Sequence, residues 1–146
     1  MMNNTFYNEI LTDHNLHPVH KKKLEDANLV LEGVNPSCGD DIILELKEEN
    51  GVITDGAFVG SGCAISQASV DMMLELIIGK TKEEALQLAD LFSRMIKGEA
   101  KGDELEPLEE AMSLADISKM PARVKCAVLG WHTMEELLEK EAEKNL

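Results

Sequence analysis

Apolar residues recur along this chain first at a period of two and later at three to four, and the changeover outlines the architecture. Between Asp41 and Lys47, Ile42, Leu44 and Leu46 alternate with Ile43, Glu45 and Lys47, the signature of a strand with one buried face. Ala27 to Val34 reads as a preceding strand. The pair Asn50-Gly51 tolerates positive φ at both positions, so it predicts a tight hairpin into a third strand in "VITDGAFVG". After "GSGC" the spacing changes. Ile65, Ala68, Ser69, Met72, Met73, Leu76 and Ile77 fall on one face of an amphipathic helix that ends near Gly79. In "TKEE" a threonine stands three residues before Glu84, a capping box, and the helix it opens turns Ala85, Leu88, Ala89, Phe92, Met95 and Ile96 inward.

The remaining segments are less periodic. Thr5 to Leu24 reads as a helix broken near "NLHPVHKK", because Pro18 lacks a backbone donor and turns His17 away from helical dihedrals. "GEAKGDELEP" is acidic and rich in turn residues, which predicts an exposed loop leading to a short helix at Leu108 to Ala115. Pro121 suits a first helical turn, and the helix after it buries Ala127, Val128, Trp131, Met134 and Leu138. The order predicts an α+β fold: a small antiparallel sheet of about three strands with helices packed on one face. No internal repeat appears, and residues 1–146 read as one domain.

Composition narrows the function. A formal charge of −14, from 28 acidic and 14 basic residues, argues against nucleic acid, whose phosphates call for clustered Lys and Arg. No apolar run nears the roughly 20 residues that span a bilayer, so no membrane partner is expected. The N-terminus lacks a basic region followed by an apolar stretch, which predicts a cytoplasmic protein. The three cysteines cannot all pair within the chain, and in that compartment they point to free thiols, metal ligands or catalysis.

All three cysteines stand at the ends of predicted elements: Cys38 in the loop before the second strand, Cys63 where the hairpin hands over to a helix, and Cys126 early in the last helix. With Asp40 they supply four donors of the kind zinc takes in a tetrahedron. Gly39 lets the side chains of Cys38 and Asp40 converge, and a helix N-terminus favours Cys63 as thiolate. Spacing alone leaves other readings open. The separations of 25 and 63 residues match no short finger pattern. Cys126 also fits a small buried hydrophobe, Cys63 a close-packing position, and "CGD" a plain turn. His14, His17, His20 and His132 read as solvated or partner-facing rather than as ligands.

Three segments, "NPSCGD", "GSGCAISQASVDMM" and "MPARVKCAVLGW", resemble the three cysteine boxes of the U-type iron-sulfur assembly scaffold family, and "ILTDHNLHPVHK" resembles its N-terminal segment. The resemblance runs from about Tyr7 to Trp131. The classical scaffold has a histidine directly before the third cysteine, where this chain has Lys125, and the stretch from Lys97 to Met120 is long. Both features, with "PARVKC", resemble the SufU-type branch of zinc-dependent sulfur-transfer proteins.

The resemblance implies an IscU/SufU-like fold and zinc held by Cys38, Asp40, Cys63 and Cys126. Three thiolates and a carboxylate outweigh a divalent ion, so Arg123 and Lys125 become electrostatic partners of the site or contacts for a partner protein; ordinary exposed positions at a helix start fit them as well. It also implies a cysteine desulfurase of SufS type as sulfur donor and downstream iron-sulfur assembly proteins as recipients. A histidine of the desulfurase would displace one cysteine from zinc, and the freed thiolate would accept the persulfide sulfur. Cys38, on the most mobile element, is the expected acceptor. Two alternatives use the same residues: a scaffold carrying a transient iron-sulfur cluster, and a structural zinc adaptor with an inert metal.

Overall fold

The structure is a computed structural model that describes the backbone of residues 3–144 and the side chains of residues 9–140. Helix α1 (Asn3–Leu16) precedes strands β1 (Leu29–Asn35), β2 (Asp40–Glu49) and β3 (Val52–Ser61). Helices α2 (Ala64–Ile77) and α3 (Lys82–Ile96), a 3₁₀ segment (Gly102–Lys119) and helix α4 (Pro121–Lys144) complete the chain. The strands form one antiparallel sheet in the order β1-β2-β3.

The sheet follows the period-two pattern. Ile42, Leu44 and Leu46 are fully buried, and β1 alternates so that Val30, Glu32 and Val34 face out. Asn50 and Gly51 both take positive φ, 54° and 85°, as the predicted hairpin requires. The opposite face of β2 is not simply solvated. Residues 20–24 lie against the sheet: the Phe58 amide donates to the His20 carbonyl, the Lys22 amide to Phe58, and the Leu24 amide to buried Glu45. This segment therefore covers the free edge of β3 instead of resuming a helix to Leu24, because Pro18 ends the helical path and the edge offers backbone partners.

Among the helices, α3 begins as predicted. The Thr81 hydroxyl accepts from the Glu84 amide, and the Glu84 carboxylate accepts from the Thr81 amide. Helix α2 differs from the one-faced helix expected: every residue from Ser66 to Leu74 is buried. It runs through the centre of the molecule, with α1, α4, β3 and the 3₁₀ segment around it, and its buried Asp71 and Ser69 have partners inside. Asp71 accepts from the His20 amide and the His14 ring, and the Ser69 hydroxyl donates to the Ala127 carbonyl while accepting from the Trp131 indole.

Two sequence expectations need correction here. The loop expected over Gly98–Pro107 and the short helix expected at Leu108–Ala115 form instead a 3₁₀ segment, Gly102–Lys119, kinked at Glu109. Its buried residues are Leu105, Leu108, Ala111, Leu114 and Ile117, every third position, which is the period of a helix with three residues per turn. The second correction is His14. It is only 4% exposed, held between Asp71 at 2.7 Å and Glu110 at 2.6 Å. The hydrogen bond to Asp71, opposed by burial and helped by Glu110, raises its pKa to about 9. His17 and His132 are exposed, and His20 is half-buried.

Candidate metal centre

The four sequence-predicted donors reach one end of the molecule from three directions. Cys38 and Asp40 come from the β1–β2 turn, where Gly39 has φ 71°. Cys63 is the N-cap of α2, and Cys126 lies in the second turn of α4. The relative position of these supports is set by packing between α2 and α4. A Cβ at Gly130 would overlap the Val70 side chain, so the glycine lets the helices approach, and the Ser69–Ala127–Trp131 bonds fix their register. Trp131 then stacks on Phe92 with ring centroids 4.4 Å apart. Gly33 performs the same service between β1 and α4, where a Cβ would overlap Thr133.

Donor atoms of Cys38, Asp40 and Cys126 lie within 4.8 Å of one another, and the Cys126 thiol donates to Cys38 Sγ at 3.1 Å. Asp40 is fully buried and its two oxygens are used differently. Oδ1 accepts from the Cys63 amide at 2.8 Å and the Ser66 hydroxyl at 3.1 Å, docking the turn onto the N-terminus of α2. Oδ2 accepts from Asn35 Nδ2 at 3.3 Å, and the same amide reaches Cys126 Sγ at 3.9 Å. Gly62 makes this docking possible, since a Cβ there would stand 2.6 Å from both Asp40 Oδ1 and Ser66 Oγ.

Cys63 falls outside the mutual 4.8 Å set. Its sulfur accepts from the Ser66 amide at 3.4 Å, the N-cap bond of α2, while remaining close enough to act on Cys126. The three thiols also differ in exposure: Cys126 is buried, whereas Cys38 and Cys63 are half-buried. Burial pushes the Cys126 thiol far up, and Cys38, Cys63 and Asp40 push it further. Three sulfurs and a carboxylate brought this near to one another make a sulfur-rich donor set whose chemistry fits zinc. Arg123 and Lys125 are exposed on the first turns of α4 and have no ion-pair partner among the described residues.

The model of the NifU-like N-terminal domain matches residues 6–144. The chain belongs to that family. One family relative, named an iron-sulfur cluster assembly scaffold protein IscU, from Streptococcus pyogenes, is 42% identical over 95% of this chain and 86% of its own length. Another, from Bacillus subtilis, is named a zinc-dependent sulfurtransferase SufU and is 39% identical over 94% of this chain and 92% of its own. A solved structure from Fervidobacterium islandicum, described as an assembly scaffold candidate for the SUF system, superposes with a TM-score of 0.85 at 38% identity, covering 92% of this chain and 98% of that one. The NifU-like fold is thus the α+β arrangement expected from the sequence. Sequence reasoning did not single out Asn35, Gly62 or Ser66, which surround Asp40. Only the "GSG" before Cys63 hinted at a close approach of backbone there.

Proposed function

We propose that this chain is a zinc-dependent sulfur-transfer protein of iron-sulfur cluster assembly, which accepts persulfide sulfur from a cysteine desulfurase of SufS type and passes it on. The observation that carries the reading is the convergence of Cys38, Asp40 and Cys126 within 4.8 Å, with Cys63 at the adjacent helix cap. The name of the Bacillus subtilis relative supports it. Zinc, held by Cys38, Asp40, Cys63 and Cys126, would keep the sulfurs deprotonated at neutral pH and tie the turn to the two helices.

The residues then divide the work. Asp40 stays docked on α2 through Oδ1 and offers Oδ2 to the site. Cys126, buried on a packed helix, is a fixed ligand, and Cys63 is restrained by its cap bond. Cys38 is half-buried on a turn, so it is the sulfur that can leave the site and meet a partner. Its thiolate attacks the outer sulfur of the desulfurase persulfide. A new S–S bond forms at Cys38, the partner's S–S bond breaks, and the partner's cysteine departs as thiolate, so no external oxidant or reductant is consumed. Arg123 and Lys125, exposed beside Cys126 and without ion-pair partners among the described residues, face the incoming protein.

The scaffold names of the Streptococcus pyogenes and Fervidobacterium islandicum proteins favour a second reading, in which the same cysteines carry a transient iron-sulfur cluster. One experiment separates the two. The protein is purified, its zinc content measured, and its acceptance of sulfur from a cysteine desulfurase compared before and after zinc removal. The sulfur-transfer reading predicts about one zinc per chain and loss of acceptance without it. Full acceptance by metal-free protein, or iron-dependent visible absorbance with sulfide delivery under anaerobic conditions, supports the scaffold instead.

A further inference from the structure

A second set of convergent donors lies away from the cysteines, where α1, α2 and the 3₁₀ segment meet. His14, Glu75 and Glu110 place donor atoms within 4.8 Å of one another, one from each element. They border a cavity of about 500 Å³. Among the described residues its lining also includes Asp13, His17 and Glu109, and contains no Lys or Arg.

From this geometry we infer that His14, Glu75 and Glu110 form a second divalent-cation site that takes a first-row metal through nitrogen and oxygen donors, independent of the cysteine centre. The arrangement around His14 is the strongest argument. Fully buried Asp71 accepts from Nδ1 at 2.7 Å, which fixes the ring and turns Nε2 toward Glu110, with a Glu75 oxygen in the same cluster. A buried carboxylate behind an imidazole whose other nitrogen faces further donors is the pattern by which proteins orient a metal-ligating histidine. Asp71 is itself anchored by the His20 amide at 2.8 Å, so the orientation does not depend on occupancy.

Charge points the same way. Asp71, Glu75 and Glu110 outnumber the one positive charge His14 can carry, so a proton alone leaves two negative charges uncompensated. Burial raises the pKa of Glu75 against the pull of His14, and Asp71 and Glu110 raise it further. The site has room to adjust. Nε2 and Glu110 Oε1 stand 2.6 Å apart, and two ligands at about 2.0–2.2 Å in a tetrahedron need about 3.3 Å between them. Glu110 is 54% exposed and open to the cavity, so it can swing by that amount. One imidazole with two carboxylates suits manganese, iron(II) or zinc, whereas the cysteine centre selects thiophilic ions. Occupancy would clamp α1 onto α2 and the 3₁₀ segment.

The difference in donor chemistry supplies the test. The full-length protein with its cysteine centre loaded with zinc is titrated with Mn²⁺, bound ion is read by electron paramagnetic resonance, and zinc is measured alongside. The inference predicts one Mn²⁺ per chain bound without loss of zinc. Both glutamates are exposed, so Glu75→Gln with Glu110→Gln should fold, keep its zinc and bind Mn²⁺ at least tenfold more weakly. Absence of a saturable Mn²⁺ site in the wild type, or equal affinity in the double variant, would overturn it.

Discussion

Gly62 shows how much of the cysteine centre depends on one missing atom. A Cβ at this position would stand 2.6 Å from both Asp40 Oδ1 and Ser66 Oγ, so it would push the carboxylate off the N-terminus of α2. Gly62→Ala should therefore weaken zinc binding by about tenfold or more, the range for losing the support behind a ligand. Chelator competition measures it, and unchanged affinity would mean that the docking of Asp40 is irrelevant to the centre. Lys125 gives the opposite expectation. It is exposed and has no ion-pair partner among the described residues, so Lys125→Ala should keep one zinc per chain and slow sulfur acceptance from the desulfurase. Complete zinc loss in that variant would show that the ligand set is incomplete. At this scale the sequence named candidate donors and was silent about the residues packed around them. Cysteine and aspartate announce their chemistry, but Asn35 and Ser66 matter only because the chain folds them beside Asp40.

The elements that hold the centre meet at the crossing of α2 and α4. Gly130→Ala gains helix propensity but drives a methyl group into Val70, and overpacking of this kind costs about 1–3 kcal/mol. Denaturant midpoints should show the loss, and adding Val70→Ala should restore part of it, since the two positions share one contact. An additive double variant would place the strain elsewhere. The hairpin and the start of α3 were legible because their signals are local: Asn50-Gly51 sets its own dihedrals, and Thr81 bonds to a residue three positions away. The 3₁₀ segment was missed although its period of three, from Leu105 to Ile117, is visible in the chain. Turn-forming and acidic residues, with Pro107, masked that periodicity. The burial of His14 was not legible at all, because its partners Asp71 and Glu110 lie 57 and 96 positions away.

For the molecule as a whole, a metal that joins the β1–β2 turn to α2 and α4 acts as a tertiary crosslink. An ion bound to the folded chain alone stabilises it by about 4 kcal/mol at a thousandfold excess over Kd, which for a chain of this size shifts Tm by on the order of 10 °C. Scanning calorimetry of the zinc-loaded and chelated forms should show that shift, and Cys63→Ala and Cys126→Ala should abolish it. The central claim is narrower: Cys38, on the turn, receives the sulfur, while buried Cys126 stays on its helix. The direct measurement is peptide mass spectrometry of the zinc-loaded protein after turnover with a cysteine desulfurase and cysteine, with persulfides trapped by alkylation. One added sulfur on the peptide containing Cys38, and none in Cys38→Ala, is the predicted result; added sulfur on Cys126 or Cys63 in the wild type would contradict the account.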